Sequence, residues 1–303
     1  MAKFCIASPH KDEMWYDYRL YINLRNTLEK MGHTYQAGSK NRIYFLGGPQ
    51  RLHYPTVGKF DNDANNIALI YCHAQKLQRI NLFDHVFVPS QQVKDYFVKK
   101  KWKERFTSRT QRKFTTRREI EIIRPFSSLS PTDQKQQKFV CDIAFMGTPR
   151  VRPIVEAVLS IVEKHKLDLK IIGPSWGAYP GNPAAKKYCI AKSLPYEDIP
   201  LLANSAKIHL NDHHHSMNQF AAVSHKYVDM ISAGGFVICD NNQDAKKYYQ
   251  GETFTDEASL EDLILHYLGD DEARKQKQLE QYQIVKQQTT IQAAHCLARY
   301  FLV

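Results

Sequence analysis

The sequence lacks the pairings and runs that would place it in several large classes. Its six cysteines stand singly, with no Cys-x-x-Cys pair, which removes dithiol redox and zinc-ribbon spacings. Cys5, Cys72, Cys141 and Cys239 lie within apolar stretches. There a thiol acts as a small core residue, and such usage points to a reducing, cytoplasmic setting. No stretch approaches the ~18 consecutive apolar residues of a membrane span. The start, Met1 to His10, has no signal-peptide apolar region and goes straight into a strand-like run. Neither a Gly-x-x-x-x-Gly-Lys-Ser/Thr loop nor a Gly-x-Gly-x-x-Gly turn occurs, so P-loop hydrolysis and dinucleotide oxidoreduction lose their usual signatures. No internal repeat is visible.

What is present is an α/β pattern long enough for two domains. The chain has 303 residues, 43% of them hydrophobic, and a single core rarely grows beyond ~250–300 residues. Residues 1–125 read as the first domain. Its predicted strands are Lys3–Ser8, Arg42–Leu46, Asn66–Cys72 and His85–Val88, with a helix over Met14–Met31 ended by Gly32. Residues 126–138, rich in Ser, Pro, Gln and Lys, read as a linker, and 139–303 as the second domain. Pro153 is placed to open a helix, and beyond Ala258 the chain reads as helical with breaks near Gly269 and Thr289. Strands alternating with helices imply a mostly parallel sheet in each domain.

Four apolar runs of the second domain end on polar or turn-forming residues: Cys141–Met146 at Gly147-Thr148, Leu169–Ile172 at Gly173-Pro174, Lys207–Leu210 at Asn211 and Phe236–Cys239 at Asp240. In open α/β sheets ligands bind outside the carboxyl ends of strands, so these ends describe a binding edge. The ordered series Asp142–Gly147, Ile172–Trp176, Leu194–Leu202, Ala206–Asn211 and His225–Asp240 resembles the carboxyl-terminal domain of the spore-maturation-protein-like (CgeB-like) group 1 glycosyltransferases. Asn66–His73 and Phe83–Ser90 resemble their amino-terminal domain more loosely. The resemblance implies a GT-B fold, two Rossmann-like domains facing a cleft. It also implies a metal-independent transfer of a hexosyl or pentosyl group from a nucleotide-diphosphate sugar, a UDP-sugar first among the donors, with no permanently bound cofactor.

On that resemblance Lys226 stands where the family has an arginine on the diphosphate, and Asp229 where an acid holds a ribose or sugar hydroxyl. An ammonium offsets leaving-group charge, but lysine lacks the bidentate fork of arginine. The alternative for both is a solvated helix pair. Gly147, Thr148 and Arg150, and the pair Gly234-Gly235, let backbone or cations approach phosphate. Gly173, Pro174 and Trp176 are assigned beside the base, with Trp176 either stacking or packing in the core, and Tyr196 opens a base-contacting segment. One of His213 to His215, His213 first, is expected to touch phosphate or sugar. Adjacent histidines converge poorly on one ion, so no metal site is assigned to them or to Asp61-Asn62-Asp63. The position near Ala221, acidic in many retaining relatives, is apolar, which leaves stereochemistry open.

A catalytic base is expected from the first domain. His73, at the end of its strand, heads the candidates, followed by Asp17, His10 and Asp12, with Glu13 beside them. The net charge of +11 is concentrated: Lys99 to Arg124 holds eleven Lys/Arg against three Glu, interleaved with aromatic and hydroxyl residues. Lys101, Arg112, Arg117 and Arg118 are therefore expected to hold a polyanionic acceptor. The leading acceptor is DNA with hydroxymethylated bases, as in a phage-type genome. The alternatives are an envelope or lipid-linked glycan, an anionic membrane surface being a further partner the charge allows, or a non-catalytic nucleic-acid-binding protein on a transferase fold. The oligomeric state is not legible.

Overall fold

The continuous apolar runs become parallel strands covered on both faces, as the computed structural model shows for the residues it describes, 1–10, 16–47, 53–54 and 56–303. Contacts divide the chain into two units: Met1–Phe126 with His215–Ala222 and Gln288–Val303, and Ser127–His214 with Val223–Gln287.

The first unit runs β1 (Lys3–Ala7), α1 (Tyr16–Lys30), β2 (Thr34–Tyr35), β3 (Asn41–Leu46), a small antiparallel pair β4 (His53–Tyr54) and β5 (Gly58–Lys59), then β6 (Asn65–Ile70), β7 (His85–Val88), α2 (Gln91–Lys103) and β8 (Glu121–Ile122). Its main sheet has the order β2-β1-β3-β6-β7-β8, with every neighbouring pair parallel. All six residues of β3 and of β6 are buried, as a sheet with helices on both faces requires. Two polar residues in this interior are satisfied by each other and by the chain's last residues. Asn65 Nδ2 donates to Asn41 Oδ1 at 2.9 Å and to the Tyr300 carbonyl at 2.7 Å, and the Leu302 amide donates to Asn41 Oδ1 at 2.7 Å.

The second unit runs β9 (Cys141–Met146), α3 (Pro153–His165), β10 (Leu169–Ile172), β11 (Cys189–Ala191), α4 (Ile199–Ser205) and β12 (Ala206–Asn211). After α5 (His215–Asn218), which counts with the first unit, it continues through α6 (His225–Ser232), β13 (Val237–Asp240), α7 (Gln243–Tyr249), β14 (Glu252–Phe254), α8 (Glu257–Gly269) and α9 (Asp271–Val285). The sheet order is β11-β10-β9-β12-β13-β14, again parallel throughout. Pro153 sits in the first turn of α3, where a missing N–H goes unnoticed. One face buries Ile154, Val158, Leu260 and Ile264 from α3 and α8; the other buries Leu202, Tyr227, Val228 and Ile231 from α4 and α6. The last helix, α10 (Thr290–Ala298), buries Ala293, Ala294 and Leu297 against Leu20, Leu24 and Leu28 of α1 in the first unit.

Candidate active site

The carboxyl ends of β9 and β12 and the amino end of α6 bring together a carboxylate and three cations. Asp212, directly after β12, is buried. Its oxygens meet the Arg152 guanidinium, Arg150 Nη2 at 3.1 Å and Lys226 Nζ at 3.8 Å. Arg152 is itself buried, and its Nε donates to the Thr148 carbonyl at 2.8 Å. Lys226 Nζ donates to the Met146 carbonyl at 2.7 Å and lies 4.8 Å from the Phe145 ring centre. Burial pushes the Asp212 carboxyl up, but Lys226, Arg152 and Arg150 outweigh it and hold the group below its ordinary value. Although 24% of the Lys226 side chain meets solvent, desolvation dominates at its amine. Burial and the two arginines pull it down to about 8 against the opposing pull of Asp212. One carboxylate cannot neutralise three cations, so the cluster carries an excess of positive charge. The neighbouring Asn211 amide nitrogen is buried with no hydrogen-bond partner. Asn211 and Lys226 line a cavity of about 10 Å³, the room of one water. Cations in excess at strand carboxyl ends are an arrangement that can take up an anion. From the sequence Arg152 stands with Arg150 just beyond Gly147, whereas Asp212 was not assigned to the donor; its only signal was position, directly after an apolar strand.

The remaining residues expected at the donor separate into those that hold the edge and those that do not reach it. Gly147 and Gly173 pack backbone against backbone: a Cβ on Gly173 would lie 1.9 Å from the Gly147 oxygen. Trp176 donates its Nε1–H to that same oxygen at 3.0 Å and is 2% exposed. A stacking role for Trp176 is therefore corrected to a core role, since the ring has no open face. Pro174 and Thr148 stay partly or fully exposed beside these glycines. Gly234 and Gly235 follow the carboxyl end of α6 and precede β13, at the opposite end from Lys226. Gly234 has φ +90°, and a Cβ there would sit 3.0 Å from Pro131. Their smallness thus serves a tight helix–strand turn, and the phosphate role expected for them is withdrawn. Asp229 is buried and accepts from Ser127 Oγ at 2.5 Å and Tyr196 Oη at 2.9 Å. The hydroxyls it holds belong to the protein, so the direct sugar contact expected of Asp229 is withdrawn. Burial, with the Asp229 charge, raises the Tyr196 phenol. His213 is also buried: its Nδ1 lies 2.5 Å from Asp240 Oδ1, and its Nε2 has no hydrogen-bond partner. His213, Cys239 and Asp240 form a possible metal-ligand group, but burial drives the Cys239 thiol well above its ordinary value, so it is no ready thiolate.

In the first unit two histidines stand at strand ends. His10, after β1, places Nδ1 2.7 Å from Asp17 Oδ2. Asp17, buried in the first turn of α1, also accepts from the Tyr18 amide at 3.1 Å and the Tyr71 hydroxyl at 3.4 Å. His73, after β6, has a left-handed backbone (φ 50°), uncommon outside glycine and asparagine, and places Nδ1 3.0 Å from Ser216 Oγ. Asp12 and Glu13 lie outside the described residues.

The basic segment is built. Glu104 turns inward and accepts from the amides of Lys113 at 2.7 Å and Phe114 at 2.9 Å and from Thr115 Oγ1 at 3.1 Å. Arg112 is spent on this loop, donating to the carbonyls of Thr107 and Arg105. Arg117 pairs with Asp84 at 2.7 Å, Arg118 lies over Tyr300, and Lys101 is exposed.

Comparison with known proteins places this geometry in a fold. Residues 150–298, just under half the chain, match the family model described as glycosyl transferase-like. No curated protein matches by sequence. Among solved structures, an alpha-glucosyltransferase in complex with UDP and a 13-mer DNA containing a HMU base superposes with TM-score 0.58 at 11% identity, covering 98% of this chain and 99% of that one. The T4 phage beta-glucosyltransferase gives 0.57 at 14% identity over 99% and 100%. TarM gives 0.57 at 12% identity over 94% of this chain and 58% of that one. Two six-stranded parallel sheets with flanking helices, superposing over almost the whole chain, make this a GT-B fold with a glycosyl transferase-like region at residues 150–298.

Proposed function

We propose that the protein transfers a sugar from a nucleotide-diphosphate sugar, UDP-sugar first, to a hydroxyl on a hydroxymethylated DNA base. The observation that carries the donor half is the uncompensated positive charge of Arg150, Arg152 and Lys226 around Asp212. In this reading the acceptor oxygen attacks the anomeric carbon, the bond from that carbon to the diphosphate oxygen breaks, and the departing diphosphate takes its charge onto those cations. The order of motifs from Asp142 to Asp240 supports a spore-maturation-protein-like member of the group. The acceptor proton goes to a histidine of the first unit. His10 suits this, because Asp17 fixes its Nδ1 and stabilises the imidazolium formed. Chemistry needs no metal, since the cations supply the charge.

The built basic loop and the DNA-bound alpha-glucosyltransferase neighbour support a DNA acceptor. The test is a binding and hydrolysis screen of UDP-, GDP-, ADP- and CMP-sugars, with and without hydroxymethylcytosine DNA. Turnover of a UDP-sugar that rises with this DNA is expected. Turnover only with a glycan or lipid-linked acceptor would replace the acceptor half. No binding of any nucleotide sugar would end the reading.

A further inference from the structure

Two aromatic rings stand out on the basic loop of the first unit. Trp102, in the last turn of α2, is 58% exposed and Phe106, in the turn that follows, is 80% exposed. Between them the Arg105 guanidinium lies 4.6 Å from each ring centre. The support beneath is fixed: Glu104 ties this turn to Lys113–Thr115, and Phe114 packs on Phe97 in the core. The result is a guanidinium in contact with two exposed rings, presented to solvent amid lysines and arginines.

We infer that Trp102, Arg105 and Phe106 form a stacking platform for unpaired bases of the nucleic acid, an inference that rests on the DNA-acceptor reading. Every base has a π face, and a guanidinium in contact with two rings stays close to phosphate when bases stack outside it. A lipid surface fits less well. Inserting either ring among acyl chains would drag the Arg105 guanidinium out of water with it.

The test is equilibrium binding of the full chain to a fluorescent duplex with two unpaired bases, over a salt series. Trp102→Ala and Phe106→Ala should each weaken binding about five- to hundredfold, the range of one lost base stack, while the salt slope stays unchanged because no charge is removed. Trp102→Tyr should restore most of the affinity and Trp102→Leu should not. Thermal melting confirms that these exposed-site variants fold. Unchanged affinity in the double alanine variant, with a salt slope that still flattens when Lys101, Arg117 and Arg118 are neutralised, would overturn the platform and leave the DNA reading standing. No retention of DNA by the unmodified protein would overturn both. Binding to anionic phospholipid vesicles that depends on Trp102, with no DNA binding, would also overturn both and assign the rings to a membrane.

Discussion

Asp212 and Lys226 meet at 3.8 Å although burial works against the charge of each, and two arginines tilt the balance toward the carboxylate. The cluster is thus a carboxylate that keeps its charge among cations in excess. Lys226→Ala and Arg152→Ala should each lower turnover about 10²–10³-fold, the loss of one donor to a developing oxyanion. Steady-state kinetics with a UDP-sugar measures this, and wild-type rates in both would remove the donor assignment.

Removing Asp212 tests the same cluster without catalysis. Asp212→Asn leaves the buried Arg152 unpaired and should cost about 3 kcal/mol of stability. An added anion can take the vacated role, so millimolar pyrophosphate or UDP should raise Tm more in this variant than in the wild type. Equal ligand-induced shifts in differential scanning fluorimetry would count against an anion seat.

The depressed Lys226 gives a pH signature. Its amine titrates near 8, below its ordinary 10.5. As pH rises through about 8 the free protein loses this charge, so UDP affinity should fall there. Its effect on folding has the opposite sign. The folded state releases the proton first, so the burial cost weighs on stability below about pH 8 and is relieved between there and 10.5. Lys226→Arg should bind UDP with no fall in affinity over pH 7–9.5; a persisting fall would assign the titration to another group.

The two histidines can be told apart. If His10 is the base, His10→Ala should cut kcat about 10²–10⁴-fold with little change in donor affinity. Asp17→Asn should leave part of that activity. Loss of turnover in His73→Ala with normal turnover in His10→Ala would reverse the assignment.

The glycine contact predicts a structural effect alone. Gly173→Ala forces a methyl to 1.9 Å from the Gly147 oxygen, and should destabilise the protein by about 3 kcal/mol or more. Chemical denaturation reads this directly, and wild-type stability would mean that the two strand ends are not in contact. Incubation with EDTA, by contrast, should leave turnover unchanged. Loss restored by zinc or manganese would bring His213, Cys239 and Asp240 into the chemistry.

Periodicity alone determined most of the fold. Apolar runs bounded by Gly, Pro and Asn mark β3, β6, β7, β9, β10, β12 and β13 within a residue or two, because a strand buried on both faces must be apolar throughout. Pro153, and the breaks near Gly269 and Thr289, are equally local signals. The same signals point to the strand carboxyl ends, where Lys226 and Arg150 lie. Tertiary structure alone decided which polar residues there face a ligand and which face the protein. Asp229 and Asp212 are both acids near strand or helix ends, yet Asp229 is engaged by Ser127 and Tyr196, residues 102 and 33 positions away, while Asp212 collects cations from two other segments. The glycines divided in the same way, Gly173 because the Gly147 oxygen fills its Cβ position and Gly234 because Pro131 stands against it. A residue's chemical type is local, but its partners are set by chain segments far off in sequence, and only packing fixes those.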